Sequence, residues 1–179
     1  TDSAVLAGLE TISQSSRDLI KFVESYRNVT RVAAPVKKAF YVREMIERVL
    51  QLTSQQTSEA GAVCTYTEKS DDILLYADES QISQILINLV KNAVQAEAKN
   101  IGITAEINPS EHIIINVTND GHPISKESQD EIFVPFFTTK QEGTGIGLSL
   151  SRQIMRLHNG TLSLTRSDAS STVFTLIFK

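Results

Sequence analysis

Three glycines at alternate positions, Gly143, Gly145 and Gly147, stand directly before an apolar-periodic run, and they restrict the fold more tightly than any other feature. Glycine takes positive φ and lets backbone N–H groups approach an anion with no side chain in the way. A helix that begins immediately afterwards adds unpaired N–H groups and the positive end of its dipole. The segment Glu142-Gly143-Thr144-Gly145-Ile146-Gly147-Leu148-Ser149-Leu150 therefore suits a polyphosphate. A glycine-rich turn alone is often only a tight turn, so the reading depends on what accompanies it.

Upstream, Asp78–Ala96 reads as a helix. Asp78 with Gln81 three residues later fits a capping box. Ile82, Ile85, Leu86, Leu89, Val90 and Ala93 recur at helical spacing and predict a buried face. Asn88 and Asn92 are four residues apart and project from one face, one turn apart. Two amides in an apolar helix need partners, and a neighbouring backbone is the plainer alternative to a ligand.

Two further segments lie between these elements. Val117-Thr118-Asn119-Asp120-Gly121-His122-Pro123-Ile124 is a strand ending in a turn, and Ile132-Phe133-Val134-Pro135-Phe136-Phe137-Thr138-Thr139-Lys140 is an aromatic cluster leading into a polar loop. The four segments in this order resemble the ATP-binding domain of sensor histidine kinases, within the superfamily that includes gyrase, the Hsp90 chaperones and MutL. Asn88 to Ala96 resembles the N box, Asn119 to Ile124 the first glycine box, Phe133 to Lys140 the F box, and Gly143 to Leu148 the second glycine box. The resemblance covers most of residues 36–179.

The resemblance implies ATP and Mg²⁺ as cofactors. It makes Asn92 the metal-binding residue and assigns nucleotide contacts to Asn119, Gly121, Phe133, Thr138, Thr139, Gly143, Thr144, Gly145, Ile146, Gly147 and Leu148. It gives catalytic roles to Asn88 and to Lys140, which can meet a phosphate as a point charge. ATP-hydrolysing branches carry a glutamate at the position of Asn88, so an amide there suits holding ATP better than hydrolysing it. The family places an aspartate where this chain has Asn119, and a glycine where it has Pro123. Both changes bear on nucleotide affinity. Asp120 would restore a carboxylate after a one-residue shift, but Gly121 then leaves its expected place. Phe133, Phe136 and Phe137 are more often core than ligand contacts, and at least two should anchor the base of a lid over residues 138–145. His122 reads as an exposed turn residue, and Lys91 as lying away from the amide face.

Residues 4–30 form a separate unit. Val5, Leu6, Leu9, Ile12, Leu19, Phe22, Val23, Tyr26 and Val29 fall near a three-to-four residue period, which predicts one long amphipathic helix. Such a helix needs partner helices. A fold back onto its own domain is the plain alternative. The resemblance makes residues 1–34 the second helix of a dimerisation and phosphotransfer hairpin plus a linker closed by Pro35, of the kind in nitrogen-regulation sensors, and residues 35–179 the ATP-binding catalytic domain. Leu9, Ile12, Leu19 and Phe22 are the expected seam of a homodimer of the parent.

Beyond these elements, Ala39–Val42 predicts a strand and Glu44–Gln55 a helix. Ala62–Glu68 and Ile73–Ala77 alternate as a pair of strands. Ile101–Ile107 and His112–Thr118 predict a hairpin around Asn108-Pro109, Thr144–His158 a helix stopped at Asn159-Gly160, and Thr161–Thr165 with Thr172–Phe178 a closing hairpin. The expected fold class is α+β: a two-layer α/β sandwich with a mixed β-sheet covered by helices, preceded by one long N-terminal helix.

Composition narrows the function. A net charge of −4 argues against nonspecific nucleic-acid binding. One cysteine, Cys64, makes a disulfide framework impossible and reads as a buried apolar residue. No apolar run reaches membrane-spanning length. Thr1 is not a natural start residue, so the chain reads as an excised piece acting in the cytoplasm, with an inner-membrane anchor in its parent left open. No histidine occurs in residues 1–111, so the acceptor helix is expected before Thr1. The expected parent donates the γ-phosphoryl of ATP to its own histidine for relay to a response-regulator receiver domain. The alternatives are an anti-sigma-type serine kinase and a degenerate domain serving as a dimerisation or partner-binding module.

Overall fold

The computed structural model describes residues 5, 8–17, 19–20, 23, 32–139 and 143–179. Two compact units are distinguished, Thr1–Ala33 and Ala34–Lys179. In the first, residues 8–17 and 19–20 are helical (α1), and Leu9, Ile12 and Leu19 are 58%, 64% and 62% exposed. Phe22, the fourth expected seam residue, lies outside the described residues.

The second unit is an α+β sandwich. Its elements run β1 (Lys38–Tyr41), α2 (Val42–Glu59), β2 (Val63–Glu68), β3 (Leu74–Ala77), α3 (Glu79–Gln95), β4 (Asn100–Ile107), β5 (Ile113–Asn119), α4 (Lys126–Gln129), α5 (Gly147–Leu157), β6 (Thr161–Ser167) and β7 (Thr172–Phe178). Five strands form one mixed sheet in the order β2-β4-β5-β7-β6, with β2 parallel to β4 and the other neighbours antiparallel. Helix α3 packs between α2 and α5, and the three lie against one face of that sheet.

The apolar stripe of α3 explains this arrangement. Ile82, Ile85, Leu86, Leu89, Val90 and Ala93 are at most 1% exposed, as their spacing predicts. They meet Met45, Ile46 and Val49 of α2, Ile154 and Met155 of α5, and the inward residues of the sheet within one core. Fully burying one such aliphatic side chain contributes about 2 kcal/mol relative to leaving it in water. The strands alternate accordingly: Ile101, Ile103 and Ala105 of β4 and Ile115 and Val117 of β5 are buried. Cys64 is half-buried in β2, and desolvation pushes its thiol up to about 11.

The N-terminus of α3 holds the layers together. The Asp78 carboxylate accepts from the N–H groups of Ser80 and Gln81 and from Val36 N–H at 2.8 Å. The return half of the capping box comes from a distant residue. Asp78 N–H donates to Nε2 of buried His158 at 3.0 Å, while His158 Nδ1 pairs with Ile154 O at 2.8 Å. These partners require the neutral imidazole protonated on Nδ1. One aspartate thereby ties the segment leading into β1, the start of α3 and the end of α5.

Three expectations differ from the structure. Strands β2 and β3 do not pair. Lys69 N–H donates to Ala105 O and keeps the end of β2 on β4, whereas Val42 N–H donates to Ile73 O and keeps the start of β3 beside α2. β3 instead pairs antiparallel with β1 in a separate ribbon. Helix α5 starts at Gly147 rather than Thr144, because Gly145 has φ +66° and cannot continue a right-handed helix. The four-residue helix α4, capped by Ser125, was not expected at all.

Candidate functional site

A cavity of about 720 Å³ opens beside α3. That helix contributes Asn88, Lys91, Asn92 and Gln95 to its wall. Asn119, His122 and Pro123 come from the end of β5 and its turn, and Thr172 and Phe174 from β7. Thr138, Thr139 and the segment Gly143, Thr144, Gly145, Gly147 and Leu148 also line it, with Ile124, Ile132 and Phe137 among the apolar residues of the wall. Among the described residues, no carboxylate lines this cavity.

Helix periodicity makes α3 a ruler along the site. Asn88 lies at the end occupied by α5, and Ala96 at the end occupied by the β5 turn. Eight residues of helix separate the ends by about 12 Å. At the first end, Asn88 Nδ2 donates to Ser151 Oγ at 3.2 Å, and Ser151 Oγ donates to Gly147 O at 2.8 Å. A Cβ on Gly147 would stand 2.3 Å from Asn88 Oδ1, so any larger residue would force the Asn88 amide to shift. Asn88, expected as a catalytic group, thus has its Nδ2 engaged with Ser151 near the start of α5.

That first turn has no side-chain cap: its N-cap residue is Ile146. The contrast with α3, capped by Asp78, is direct. Gly147 and Leu148 both line the cavity, so the unsatisfied N–H groups of an eleven-residue helix open onto it. Phe136 N–H donates to Gly145 O at 2.9 Å and pins the glycine segment to the aromatic cluster, with Phe136 itself held at φ +66°.

At the other end, Asn119 is 5% exposed and accepts from Gly121 N–H at 3.1 Å through Oδ1. The alternation of β5 puts its side chain on the buried face with Ile115 and Val117. Asp120 stands outside this cavity. Its carboxylate accepts from Asn100 N–H and Nδ2 and from Lys99 N–H, and these bonds, led by that from Asn100 N–H, hold its pKa at about 2. Of the two registers weighed from sequence, the structure brings Asn119 to the cavity.

The structure does not bring every expected residue to the wall. Phe133 lies off it: the ring meets Phe174 edge-on at 6.4 Å and carries the Arg152 guanidinium 3.9 Å above its centroid. It anchors the loop to β7 and α5, while Phe137 lines the cavity and Phe136 is 39% exposed. Gly121 and Ile146 also lie behind the wall; a Cβ on Gly121 would meet Ala96 O at 2.5 Å. Lys140 falls outside the described residues. His122 is exposed as expected and pairs with Glu97 at 3.3 Å.

Lys91, read from sequence as turned away, lines the cavity. The signal was present: Lys91 and Gln95 follow Asn88 by three and seven residues, the spacing of one helix face. Thr172 and Phe174 had no such signal. They reach the site because β7 pairs with β5, which sets Thr172 opposite Asn119.

The model of the histidine kinase-, DNA gyrase B- and HSP90-like ATPase family matches residues 77–179. The sensor histidine kinase ZraS of Escherichia coli (strain K12) is 33% identical over 141 residues, which are 78% of this chain and 30% of that protein. The chain thus spans about a third of the length of this curated relative. The solved catalytic domain of the histidine kinase ThkA superposes with a TM-score of 0.72 at 33% identity, over 79% of this chain and 94% of that one. A structure of ThkA in complex with the response regulator TrrA gives a TM-score of 0.70 at 26% identity, over 94% of this chain and 49% of that one.

Proposed function

From the premise that the chain belongs to the histidine kinase-, DNA gyrase B- and HSP90-like ATPase family, we propose that its cavity binds Mg-ATP and presents the γ-phosphoryl group to a histidine of a sensor kinase. One observation carries this reading. Asn88, Asn92, Asn119 and the glycine segment, distant in sequence, converge on one cavity whose described walls hold no carboxylate. Such a site suits a polyanion.

The residues fit the metal modestly. Asn92 lines the cavity, and its amide has no protein partner among the described residues. Mg²⁺ takes oxygen ligands, keeps several waters and leans on substrate phosphates, so one amide oxygen is a sufficient protein share. Bound there, the ion would neutralise phosphate charge. The chain's own residues do the rest. The uncapped turn of α5 receives the phosphates, Lys91 adds a cation, and Asn88 fixes the turn through Ser151. Asn119 and Phe174 hold the base. Positioning and charge stabilisation are what phosphoryl transfer requires of a protein.

An amide at Asn88 lacks the basicity to activate water, which favours transfer over hydrolysis. A homodimer through α1 is supported by its exposed Leu9, Ile12 and Leu19. A receiver domain as downstream partner is supported by the likeness to the ThkA–TrrA structure. Among the described residues no helix is long and apolar enough to cross a membrane.

Incubation with γ-labelled ATP and a histidine-bearing helical hairpin tests the reading. Acid-labile, alkali-stable phosphate on the hairpin is expected. Label on serine would favour the anti-sigma type of kinase, and binding without transfer would favour a degenerate module.

A further inference from the structure

Toward Ala96 the cavity wall carries one buried amide, Asn119, with Pro123 and Ile124 from the turn after it and Phe174 from the neighbouring strand β7. A flat heterocycle suits this end, as phosphates suit the glycine end about 12 Å away along α3. The orientation of the Asn119 amide is set by chemistry. Gly121 N–H is a donor, so the atom facing it at 3.1 Å must be Oδ1. Nδ2 then has no hydrogen-bond partner among the described residues, although the residue is only 5% exposed. Nδ2 is not sealed from solvent, so the amide offers its unused N–H groups to the cavity that Asn119 lines.

We propose that the base end of this cavity accepts 6-oxopurine nucleotides, inosine and guanosine triphosphates among them, alongside adenine nucleotides. The inference rests on the nucleotide reading above. Adenine presents an amine donor beside a ring-nitrogen acceptor. A 6-oxopurine presents a carbonyl acceptor beside a ring N–H donor. A carboxamide pairs with either edge through two bonds, because turning it over exchanges its donor and its acceptor; the orientation held by Gly121 N–H serves one edge, and the other edge costs that single bond. A carboxylate only accepts, and would set its lone pairs against those of a 6-carbonyl. Asn119 thus removes a means of discrimination that an aspartate would provide. Thr172, opposite it on β7, adds a hydroxyl that can donate or accept, bonded at 2.9 Å to Ser167.

Competition between inosine and adenosine triphosphates, measured by calorimetry on the parent chain and on Asn119→Asp, tests this. The parent should bind the two within about tenfold of each other, far from the roughly 10⁴-fold rejection shown by sites built for one hydrogen-bonding group. Asn119→Asp, with its melting temperature checked, should favour adenosine triphosphate at least a hundredfold more than the parent does. A parent that binds adenosine triphosphate and rejects inosine triphosphate by more than a hundredfold overturns this inference alone. Binding of neither overturns the nucleotide reading and this inference with it.

Discussion

Gly147 and Asn88 approach so closely that a Cβ on the glycine would stand 2.3 Å from the asparagine's amide oxygen. The contact joins the helix that carries the amides to the uncapped turn that opens onto the cavity. It is secured from the other side by the bond from Asn88 to Ser151.

Gly147→Ala should therefore drive the Asn88 amide off Ser151 or push α5 away from α3. Nucleotide affinity should fall at least about tenfold, since small misplacements of binding groups are costly. The melting temperature should fall as well. Adding Asn88→Ala removes the clashing atoms, so the double variant should be more stable than Gly147→Ala alone, as a double-mutant cycle followed by thermal denaturation would show. A double variant no more stable than the glycine variant would place the strain elsewhere.

Asn92 has a different task. Its half-buried side chain lines the cavity, and Asn92→Ala removes an oxygen without opening the core. The urea midpoint should stay near that of the parent. The increase in nucleotide affinity caused by added Mg²⁺ should disappear. Parent-like tightening by Mg²⁺ in the variant would show that the metal is held without this residue.

Neighbouring residues at the end of β5 should respond in opposite ways. Asn119→Ala should weaken adenine nucleotide binding, and Asn119→Asp should preserve or strengthen it, because a charged acceptor makes the stronger bond to an amine. Asp120→Ala should leave affinity intact and lower stability, because it frees the N–H groups of Lys99 and Asn100 at the start of β4. Titration of the three variants with an ATP analogue separates these outcomes.

The cap of α3 predicts a pH dependence. Burial raises the Asp78 pKa, but hydrogen bonds from the Ser80 hydroxyl and from the N–H groups of Val36, Gln81 and Ser80 outweigh it and leave the pKa below its ordinary 3.8. A carboxyl depressed on folding contributes stability above its unfolded pKa and loses it as pH falls through the folded one. Asp78→Asn keeps a good cap residue but cannot satisfy every donor. It should cost about 1–2 kcal/mol at pH 7. The gap to the parent should narrow as pH drops below about 4. His158→Ala should cost about 1–3 kcal/mol by leaving the Asp78 N–H buried and unmatched. Urea denaturation across pH measures both.

Legibility followed the range of each interaction. The buried face of α3 was readable because six apolar residues at helical spacing have one reasonable side to bury. The β4–β5 and β6–β7 hairpins were readable from their turns. The partners of β2 and β3 were not, because their pairing is decided by contacts to Ala105 and Val42 outside both strands. In the site, the amides and glycines could be found within their own segments. Phe174 and Thr172 enter only through sheet register, and the removal of Phe133 from the wall depends on Arg152 from another element. Lys91 reaches the cavity although its immediate neighbours turn away from the amide face, because it follows Asn88 by three residues.

One cavity is expected to bind a nucleoside triphosphate together with its metal. Isothermal titration with a non-hydrolysable ATP analogue, with and without Mg²⁺, measures this most directly. A single saturable site whose affinity rises with Mg²⁺, and is lost when Gly147 is replaced by a bulkier residue, is the predicted result. No saturable heat at millimolar analogue, from a chain shown to be folded, would contradict it.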